Sequence, residues 1–292
     1  MAEPERIAAI VAEVMEQLRR TGSVVLPASP APQPEMQSAG DCEDLTSPAC
    51  KKISLLDHPQ DPEALERMRG RTTARIGVGR AGPRLKTKTM LTLRADHAQA
   101  RDAVFADVDS ALPQRLGLFT VETQCGDKDT YLTRPDLGRR LSEEAAETLR
   151  QRCIPHPDVQ IFASDGLSST AVEANLEKIL PALTDGLKAR GLTVGTPFLL
   201  RFGRVAAEDH VAEILGAKVV CVLLGERPGL ATAESMSAYI VYNAYVGIPE
   251  SKRTVVSNIH KDGISAVEAG AYLTEVICKI LEQKASGVDL VK

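Results

Sequence analysis

Past residue 158, short apolar runs alternate with longer stretches of helical period. Strands are predicted for the apolar runs, at 159–163, 197–202, 218–224, 239–242 and 254–256. The run at 218–224 is apolar almost throughout, as expected for a strand whose two faces are both buried. Because such runs alternate with helices, we predict an α/β fold with a mostly parallel sheet and helices on both of its faces.

Three helices are predicted in this half of the chain, each with apolar side chains on one face. The longest covers 169–190, with a kink at Pro181 and an end at Gly191. A second covers 208–215 and ends at Gly216, and a third closes the chain around 273–281. The apolar stripe of the longest helix consists of Val172, Leu176, Ile179, Leu180, Leu183 and Leu187.

Before residue 158 the pattern is more helical, with helices predicted at 62–69, 96–108 and 142–152. Ser142 is a good N-cap for the last of these, and Glu143 and Glu144 occupy its first turn, where the helix dipole favours carboxylates. We therefore predict a small helical region at 59–115, followed by the sheet domain at 116–292.

The first 58 residues have a different character. Residues 1–20 contain an amphipathic pattern, with apolar side chains such as Ile7, Val11 and Leu18 at helical spacing. Residues 21–58 mix prolines with Ser, Ala and Gly, a composition that buries no core and predicts a flexible linker. A short tethered helix is either a frayed terminal segment or an address helix that docks elsewhere, and the pattern leaves both open.

Composition narrows the function. Aromatic residues make up 3% of the 292 residues, and Lys and Arg total 35 against 39 Asp and Glu, so neither a stacking platform nor a phosphate-binding surface for nucleic acid is indicated. No apolar run approaches the roughly 20 residues of a membrane span. The six cysteines form no CxxC pair, which favours reduced thiols and a cytoplasmic protein.

The residues that follow the predicted strands are candidates for a binding site, because open α/β sheets bind ligands at the carboxyl ends of their strands. Ser164 and Asp165 follow the first run, and Arg204 follows the second. Gly225 and Glu226 follow the third, and Ser257 follows the last. Polar αβ loops are common in all such folds, but polar or glycine-bearing exits at every one of these runs indicate a ligand crevice.

Two motifs match the letters of known cofactor-binding motifs but lack other features that those sites require. The letters GVGRAG at 77–82 fit GxGxxG, with Asp96 at the distance of a ribose-binding acid, but no apolar strand precedes them and Pro83 follows directly. The letters NIHKDG at 258–263 resemble the DxHxxG motif that places a histidine on cobalt, with Asn258 in the aspartate position. We expect coincidence in the first case, and a structural role for His260 in the second. No metal-ligand spacing or nucleophile–base pattern is apparent elsewhere.

Several long and unusual segments resemble the small (light) subunit of ethanolamine ammonia-lyase, in order from about residue 65 to the end. They are GRAGPR at 79–84, YLTRPD at 131–136, GRRL at 138–141, SDGLS at 164–168, GERPGL at 225–230, SNIH at 257–260 and LEQKASG at 281–287.

The resemblance implies a subunit of an adenosylcobalamin-dependent lyase that converts ethanolamine to acetaldehyde and ammonia by a radical mechanism. It implies a Rossmann-like domain that binds the nucleotide tail and lower face of the cofactor. A large TIM-barrel subunit is implied as the partner that supplies the substrate site and the radical chemistry. The helical region at 59–115 and the arginine-rich segments are then expected to dock that subunit, and the N-terminal helix is expected to direct the protein to a bacterial microcompartment.

Family contacts with the cofactor fall at Val205, Glu226 and Val255, and the family has Cys in place of Val255. Val205 and Glu226 lie at strand exits found independently, and their neighbours Arg204, Ser164, Asp165 and Gly225 complete the expected cofactor site. Two alternatives remain: a stand-alone nucleotide-binding regulatory module that uses the same crevice, and a scaffold that only delivers cargo through its first 20 residues. No metal ligand is expected on this chain.

Overall fold

The computed structural model describes residues 44–291, and the predicted helix within 1–20 and the linker up to residue 43 lie outside this range. The described residues contain nine α-helices and eight strands. The helices are α1 (Pro48–Lys51), α2 (Pro62–Arg69), α3 (Thr87–Phe105), α4 (Ala111–Arg115), α5 (Lys128–Thr133), α6 (Glu143–Arg152), α7 (Ser169–Ala189), α8 (Ala207–Leu215) and α9 (Ala266–Gln283). The strands are β1 (Arg80–Ala81), β2 (Arg84–Leu85), β3 (Phe119–Glu122), β4 (Val159–Ser164), β5 (Phe198–Arg201), β6 (Val219–Gly225), β7 (Met236–Tyr242) and β8 (Arg253–Ile259).

Six of the strands form one sheet in the order β3-β5-β4-β6-β7-β8. The four strands from β3 to β6 are parallel, β7 is antiparallel to β6, and β8 is antiparallel to β7. Strand β8 therefore runs in the same direction as β6, and five of the six carboxyl ends meet at one edge. The predicted α/β fold with a mostly parallel sheet is confirmed.

Helices cover both faces of the sheet, as predicted. One face packs on α7 and α9, in a core that contains Ile161, Leu223 and Ile277. The other packs on α6 and α8, in a core that contains Phe162, Val222 and Val211. Strands β4 and β6 are buried along their whole length between these layers, which explains why 218–224 carries almost no polar side chain.

Local signals in the sequence set the ends of most helices. The hydroxyls of Ser142 and Ser168 accept hydrogen bonds from backbone amides in the first turns of α6 and α7. Ser265 and Glu268 form a capping box at α9, and Gly216 ends α8 in the left-handed conformation. Every residue of the predicted α7 stripe is buried, and the helix continues past Pro181 to Ala189.

Two glycines bring α7 and α9 into close contact. A Cβ at Gly186 would lie 2.4 Å from the Thr274 hydroxyl, and a Cβ at Gly270 would lie 2.7 Å from Ala182 Cβ. Only glycine fits at either position, so the two helices pack nearly backbone to backbone. This close packing presses the helical layer onto β6, β7 and β8.

An ion pair joins α3 to the start of the described chain. The Arg75 guanidinium binds both carboxylate oxygens of Asp96, at 2.6 and 2.9 Å, and donates to the carbonyls of Leu45 and Cys50. Asp96 is buried, so this carboxylate serves the fold and is not free for a ribose. Helix α3 also begins at Thr87, nine residues before the start that its pattern predicts, because it buries polar side chains and has little amphipathic signal.

Other parts of the sheet differ from the predictions made for them. The sequence pattern did not predict β3 or α5, which are four and six residues long. The predicted strand at 254–256 extends to Ile259, so Ser257 and Asn258 belong to β8 and not to a loop after it. None of the helices within 44–291 is long and apolar enough to cross a membrane.

Candidate functional site

Asp165 lies at the carboxyl end of β4, at the centre of a dense hydrogen-bond network. Its Oδ1 accepts from the amides of Phe202 and Gly166, at 2.7 and 2.9 Å, and Oδ2 lies 3.6 Å from Lys128 Nζ. Ser164 Oγ accepts from the Gly203 amide at 3.1 Å and so ties β4 to the loop after β5. Burial raises the pKa of Asp165, and the Lys128 charge opposes that shift. With 2% of its surface exposed, Asp165 holds two strand exits together.

Helix α5 lies over this edge and adds cations and an aromatic ring. Lys128 Nζ lies 5.6 Å from the ring centre of Tyr131, and the Arg204 guanidinium lies 4.2 Å from the same ring. Arg204 Nη2 also donates to the Tyr131 carbonyl at 2.7 Å, whereas its buried Nε has no partner among the described residues. Burial raises the pKa of the Tyr131 phenol far above its usual value, and the Glu226 charge adds slightly to this rise.

Gly225 is confined between two loops at the end of β6. A Cβ at this position would lie 2.1 Å from the Ser168 carbonyl and 2.4 Å from the Asp165 carbonyl. The Gly225 carbonyl in turn accepts from the Leu167 amide at 3.0 Å. The absence of a side chain therefore lets the β4–α7 loop pack directly on the start of the β6–β7 loop. This contact fixes the backbone position of Glu226.

Glu226 is half-buried and faces the strand next to it. Its Oε1 accepts from the Tyr239 hydroxyl at 2.6 Å, and its backbone amide donates to the Ser235 carbonyl at 3.0 Å. Burial raises the pKa of Tyr239, and the hydrogen bond to Glu226 raises it further, because the phenolate would meet a carboxylate. The phenol therefore stays protonated as the donor of this bond.

Val255 and Tyr239 are cross-strand partners on β8 and β7, on the sheet face that packs on α8. Val205 lies just before α8 and packs into the core of the same face. The helical layer does not reach Val255, which is 47% exposed. The structure thus brings Val205, Glu226 and Val255 to one side of the sheet, around Tyr239, where β7 and β8 extend past the helices.

A buried ion cluster fixes α8 against β8 beneath these residues. Both Arg253 side-chain amino groups bind the Asp209 carboxylate, at 2.9 and 3.1 Å, and Nη1 lies 3.3 Å from Glu208 Oε2. Burial raises the pKa of Glu208 well above its usual range, and the Arg253 charge opposes the shift. Val205 precedes α8 and Val255 lies two residues after Arg253. The cluster therefore fixes the two elements next to which these valines lie.

A cleft of about 320 Å³ opens beside Glu226. Most of the residues that line it are polar or charged, and one of them, Ser237, is fully buried with a hydroxyl that has no hydrogen-bond partner among the described residues. The lining residues are Glu226, Arg227, Gly229, Ala231, Thr232, Ser235, Ser237, Ser257 and Asn258.

A larger cleft, of about 1190 Å³, lies on the other side of the 227–235 loop. The two clefts share Ala231 and Thr232. Lys51 crosses toward this loop and donates to the Ala231 carbonyl at 3.1 Å. The loop is thus anchored to the N-terminal end of the described chain and forms a wall between the two clefts.

The two suggestive motifs have structural roles. Arg80 to Leu85 form the β1–β2 hairpin with Gly82 in its turn, so GVGRAG follows no strand and opens no crossover helix. The prediction of coincidence is confirmed. His260 is buried, and its Nδ1 accepts from the Asp262 amide at 3.3 Å within the turn after β8. Within 44–291, no group of three or more His, Cys, Asp or Glu side chains is arranged to hold a metal ion.

Several residues of the site lacked a sequence signal. Lys128, Tyr131 and Tyr239 were not singled out, because each approaches its partners only through the tertiary fold. Ser237 lies within an apolar strand, where a serine at the position of a core residue was the one available clue. The buried charges of Glu208 and Asp209 next to an apolar helix face could also have drawn attention.

Residues 62–291 match the family model of the ethanolamine ammonia-lyase light chain. A relative from Fusobacterium nucleatum subsp. nucleatum, described as an ethanolamine ammonia-lyase small subunit, is 55% identical over 251 residues, which is 86% of this chain and 85% of the relative. Small subunits from Clostridium tetani and Listeria innocua are 50% identical over 284 residues and 49% identical over 251 residues, covering 96% and 86% of both chains respectively. The chain belongs to the ethanolamine ammonia-lyase light-chain family.

Proposed function

We propose that this chain is the small subunit of an adenosylcobalamin-dependent ethanolamine ammonia-lyase, and that it binds the nucleotide tail and lower face of the cofactor. The large subunit of the complex supplies the substrate site and carries out the conversion of ethanolamine to acetaldehyde and ammonia. When bound, adenosylcobalamin supplies the radical that starts this reaction. The work of this chain is to bind and orient the cofactor.

The observation that carries the proposal is the gathering of Val205, Glu226 and Val255 on one side of the sheet, where β7 and β8 extend past α8. These are the positions at which the family is expected to contact the cofactor, and they come from three separate segments. The order β5-β4-β6, with helices wound on opposite faces, supports a Rossmann-like description of the domain.

The residues present suit a corrinoid tail. The base of this tail is apolar, and Val205 and Val255 offer apolar contacts on the same side of the sheet as Tyr239. Its amides need both donors and acceptors, which the polar cleft beside Glu226 supplies. Ser237 lines this cleft, and its hydroxyl has no partner among the described residues, which supports a ligand there.

Ser164, Asp165, Gly225 and Arg204 form the support of the site. Asp165 and Ser164 are buried: Asp165 Oδ1 and Ser164 Oγ accept from backbone amides, and Asp165 Oδ2 faces Lys128. Gly225 lets the two loops pack directly on each other. We propose that these residues act on the cofactor through the loops that they position. Arg204, with an unpaired Nε, is the one of the four that has a donor left for a ligand.

We further propose that α3 and the β1–β2 hairpin dock the large subunit. The burial pattern of α3 is the reverse of that of an ordinary surface helix. It buries the polar side chains of Thr89, Thr92 and Asp96 and exposes Leu91 and Phe105. Cations flank the exposed apolar side chains on α3 and the hairpin: Arg80, Arg84, Lys88, Arg94 and Arg101. An apolar patch with a basic rim suits a partner surface that is apolar at its centre and acidic at its edge.

The segment before residue 44 is proposed to direct the enzyme to a bacterial microcompartment. The proposal rests on the amphipathic pattern of residues 1–20 and on the resemblance of the whole chain to its family. Deletion of residues 1–43 should leave deamination by the reconstituted complex unchanged while the location of the protein in the cell changes. A loss of activity in the purified complex would count against an address role.

The central test is reconstitution. The chain should co-purify with a large subunit of its family, bind adenosylcobalamin tightly only in that complex, and show no deaminase activity alone. Titration of the isolated chain with NAD and ATP tests the alternative of a stand-alone nucleotide-binding module. Tight binding of either nucleotide by the chain alone, or deamination of ethanolamine without the large subunit, would overturn the division of labour proposed above.

Variants at two positions test the site itself. Glu226→Ala should weaken cofactor binding in the complex by about 1–3 kcal/mol, because a polar partner loses its acceptor. Val205→Asp should prevent reconstitution by placing an unpaired charge in an apolar contact. Glu275→Ala is a suitable control, because Glu275 is an exposed carboxylate on α9 that pairs with Arg190, on the opposite face of the sheet from the site. An unchanged affinity in the Glu226 variant would remove that residue from the site.

A further inference from the structure

Ser237 is an anomaly in the otherwise satisfied β7 strand. It pairs with Leu224 in the antiparallel ladder and is 0% exposed, yet its hydroxyl has no hydrogen-bond partner among the described residues. Buried hydroxyls in folded proteins nearly always have a partner, because their separation from water is otherwise uncompensated. An alanine would satisfy the packing of a strand interior at this position, so the hydroxyl calls for an explanation outside the fold.

Ser237 is buried but belongs to the lining of a cleft. Ser237 lines the 320 Å³ cleft together with Glu226, Ser257 and Asn258. A space of this size is at the lower end for small-molecule sites, and it fits a short side group of a ligand better than a whole large cofactor. Whatever enters the cleft therefore meets a hydroxyl, an amide and a carboxylate at short range.

The chemistry of the lining selects the ligand group. A carboxylate only accepts hydrogen bonds, and Glu226 retains acceptor capacity beyond the bond from Tyr239. A hydroxyl can donate to a carbonyl, and Asn258 can donate and accept. A primary amide has both N–H donors and a carbonyl acceptor and satisfies all of these groups. An anion such as phosphate would be repelled by Glu226, although Arg227 also lines the cleft.

We propose that Ser237 is a cofactor-positioning residue that holds one primary-amide side chain of the corrin ring in this cleft. Ser237 donates to the amide carbonyl, and Glu226 accepts from the amide N–H. This inference rests on the proposed function and names a residue and a subsite within it. The contact would fix the rotation of the corrin about the tail, because a side chain seated in a pocket prevents the ring from turning.

The experiment compares Ser237→Ala with the wild type in the complete two-subunit complex. The cofactor dissociation constant, measured by the change in corrinoid absorbance on titration, should rise about 3- to 10-fold through loss of one hydrogen bond. The free full-length chain should be as stable as the wild type or more so, because the substitution removes a buried hydroxyl that has no partner. A role in holding the fold together would instead lower that stability.

Thr184→Val is the matched control. Thr184, on α7, is the other hydroxyl-bearing residue whose buried oxygen has no partner among the described residues, and it does not line the cleft. This variant should bind the cofactor as the wild type does. Equal losses of affinity in the two variants, an unchanged affinity in Ser237→Ala, or a destabilised free chain would each overturn the inference.

Cobalamin derivatives with one side-chain amide hydrolysed to an acid extend the test. The wild-type complex should bind one such derivative markedly less well than the parent corrinoid, and Ser237→Ala should discriminate less between the two. Equal discrimination by both proteins would overturn the role of Ser237. If the wild-type complex bound no corrinoid at all, the proposed function itself would fail, which is a separate and recognisable result.

Discussion

The two halves of the central sheet differ in how completely the helices cover them, and Asp165 and Ser237 illustrate the difference. In the parallel half, from β3 to β6, helices cover both faces and Asp165 has all its oxygens engaged by amides and by Lys128. In the antiparallel β7–β8 edge, one face extends past the helices, Val255 is exposed and the Ser237 hydroxyl has no partner. Asp165 is thus engaged within the fold, whereas the Ser237 hydroxyl has no protein partner among the described residues.

The difference teaches where substitutions should affect stability and where they should affect binding. A polar group that is fully engaged inside the protein stabilises the folded state, and its removal leaves other groups unpaired. A polar group that borders a cleft contributes little to stability until a ligand arrives. Predictions that set the two halves against each other therefore test the location of the site.

The largest effect is expected for Asp165→Ala. Its loss leaves the Lys128 charge and the amides of Phe202 and Gly166 buried without their acceptor, so the free energy of unfolding should fall by about 3–5 kcal/mol. Asp165→Asn keeps an oxygen for the amides and should cost less. Denaturant unfolding of the free chain measures both. If the Asp165→Ala variant were as stable as the wild type and only bound the cofactor more weakly, Asp165 would be a binding residue, as proposed for residues at the β7–β8 edge.

A smaller loss is expected for Gly225→Ala. The new methyl group would overlap the carbonyls of Ser168 and Asp165 and force the loops apart, at a cost of about 1–3 kcal/mol in unfolding free energy. Gly229→Ala, four residues further along, is the matched control, because its Cβ meets no atom closer than the Thr232 carbonyl at 4.0 Å. Thermal unfolding of the two variants side by side checks this. Equal melting temperatures would show that the loops around Gly225 accommodate the methyl group at little cost in stability.

His210 should make the free energy of unfolding sensitive to acid. Burial lowers its pKa below 6.5, with a further contribution from Arg140, and its Nδ1 accepts from the Leu141 amide. The unfolded chain therefore binds a proton near pH 6.5 that the folded chain resists, and stability falls as pH drops below that value. The other nearby charges are Glu213, Glu143 and Arg150.

His210→Gln should remove that part of the pH dependence. Unfolding free energies at pH 7.5 and 5.5 should differ less in the variant than in the wild type, by about 1.4 kcal/mol for each unit of pKa depression. Because every other ionisable group is the same in both proteins, the difference between the two curves isolates His210. Parallel curves would mean that the imidazole is protonated as readily in the folded chain as in the unfolded one.

The smallest effect is expected for Val255→Cys, which introduces the residue that the resemblance leads us to expect in relatives at this position. Val255 is exposed at the open edge, so stability should change by no more than about 0.5 kcal/mol. Cofactor affinity in the complex should also change little if the contact there is made by the backbone. A pronounced gain in affinity would instead assign the contact to the thiol in other members of the family.

The parts of the fold that were predictable are those with a strong local pattern. The α7 stripe, the serine caps of α6 and α7, and the apolar β4 and β6 each have a signal within a few residues of sequence. Helix α3 was misplaced because its buried face is polar, and β3 and α5 are too short to show a period. The direction of β7 is set by its pairing with β6 and has no mark in its own residues.

By itself, the sequence determined the α/β class, the boundaries of α2, α6, α7 and α8, the family and the positions at which a cofactor is expected, because these depend on local periodicity, caps and recognisable segments. Only the tertiary structure decided that Val205, Glu226 and Val255 share one face, that Asp165 is enclosed, and that Ser237 borders a cleft without a partner. Such facts depend on which strands are neighbours and on how far each helix reaches over the sheet. Contacts between residues far apart in the chain are set by packing of the whole fold, so local sequence patterns do not predict them.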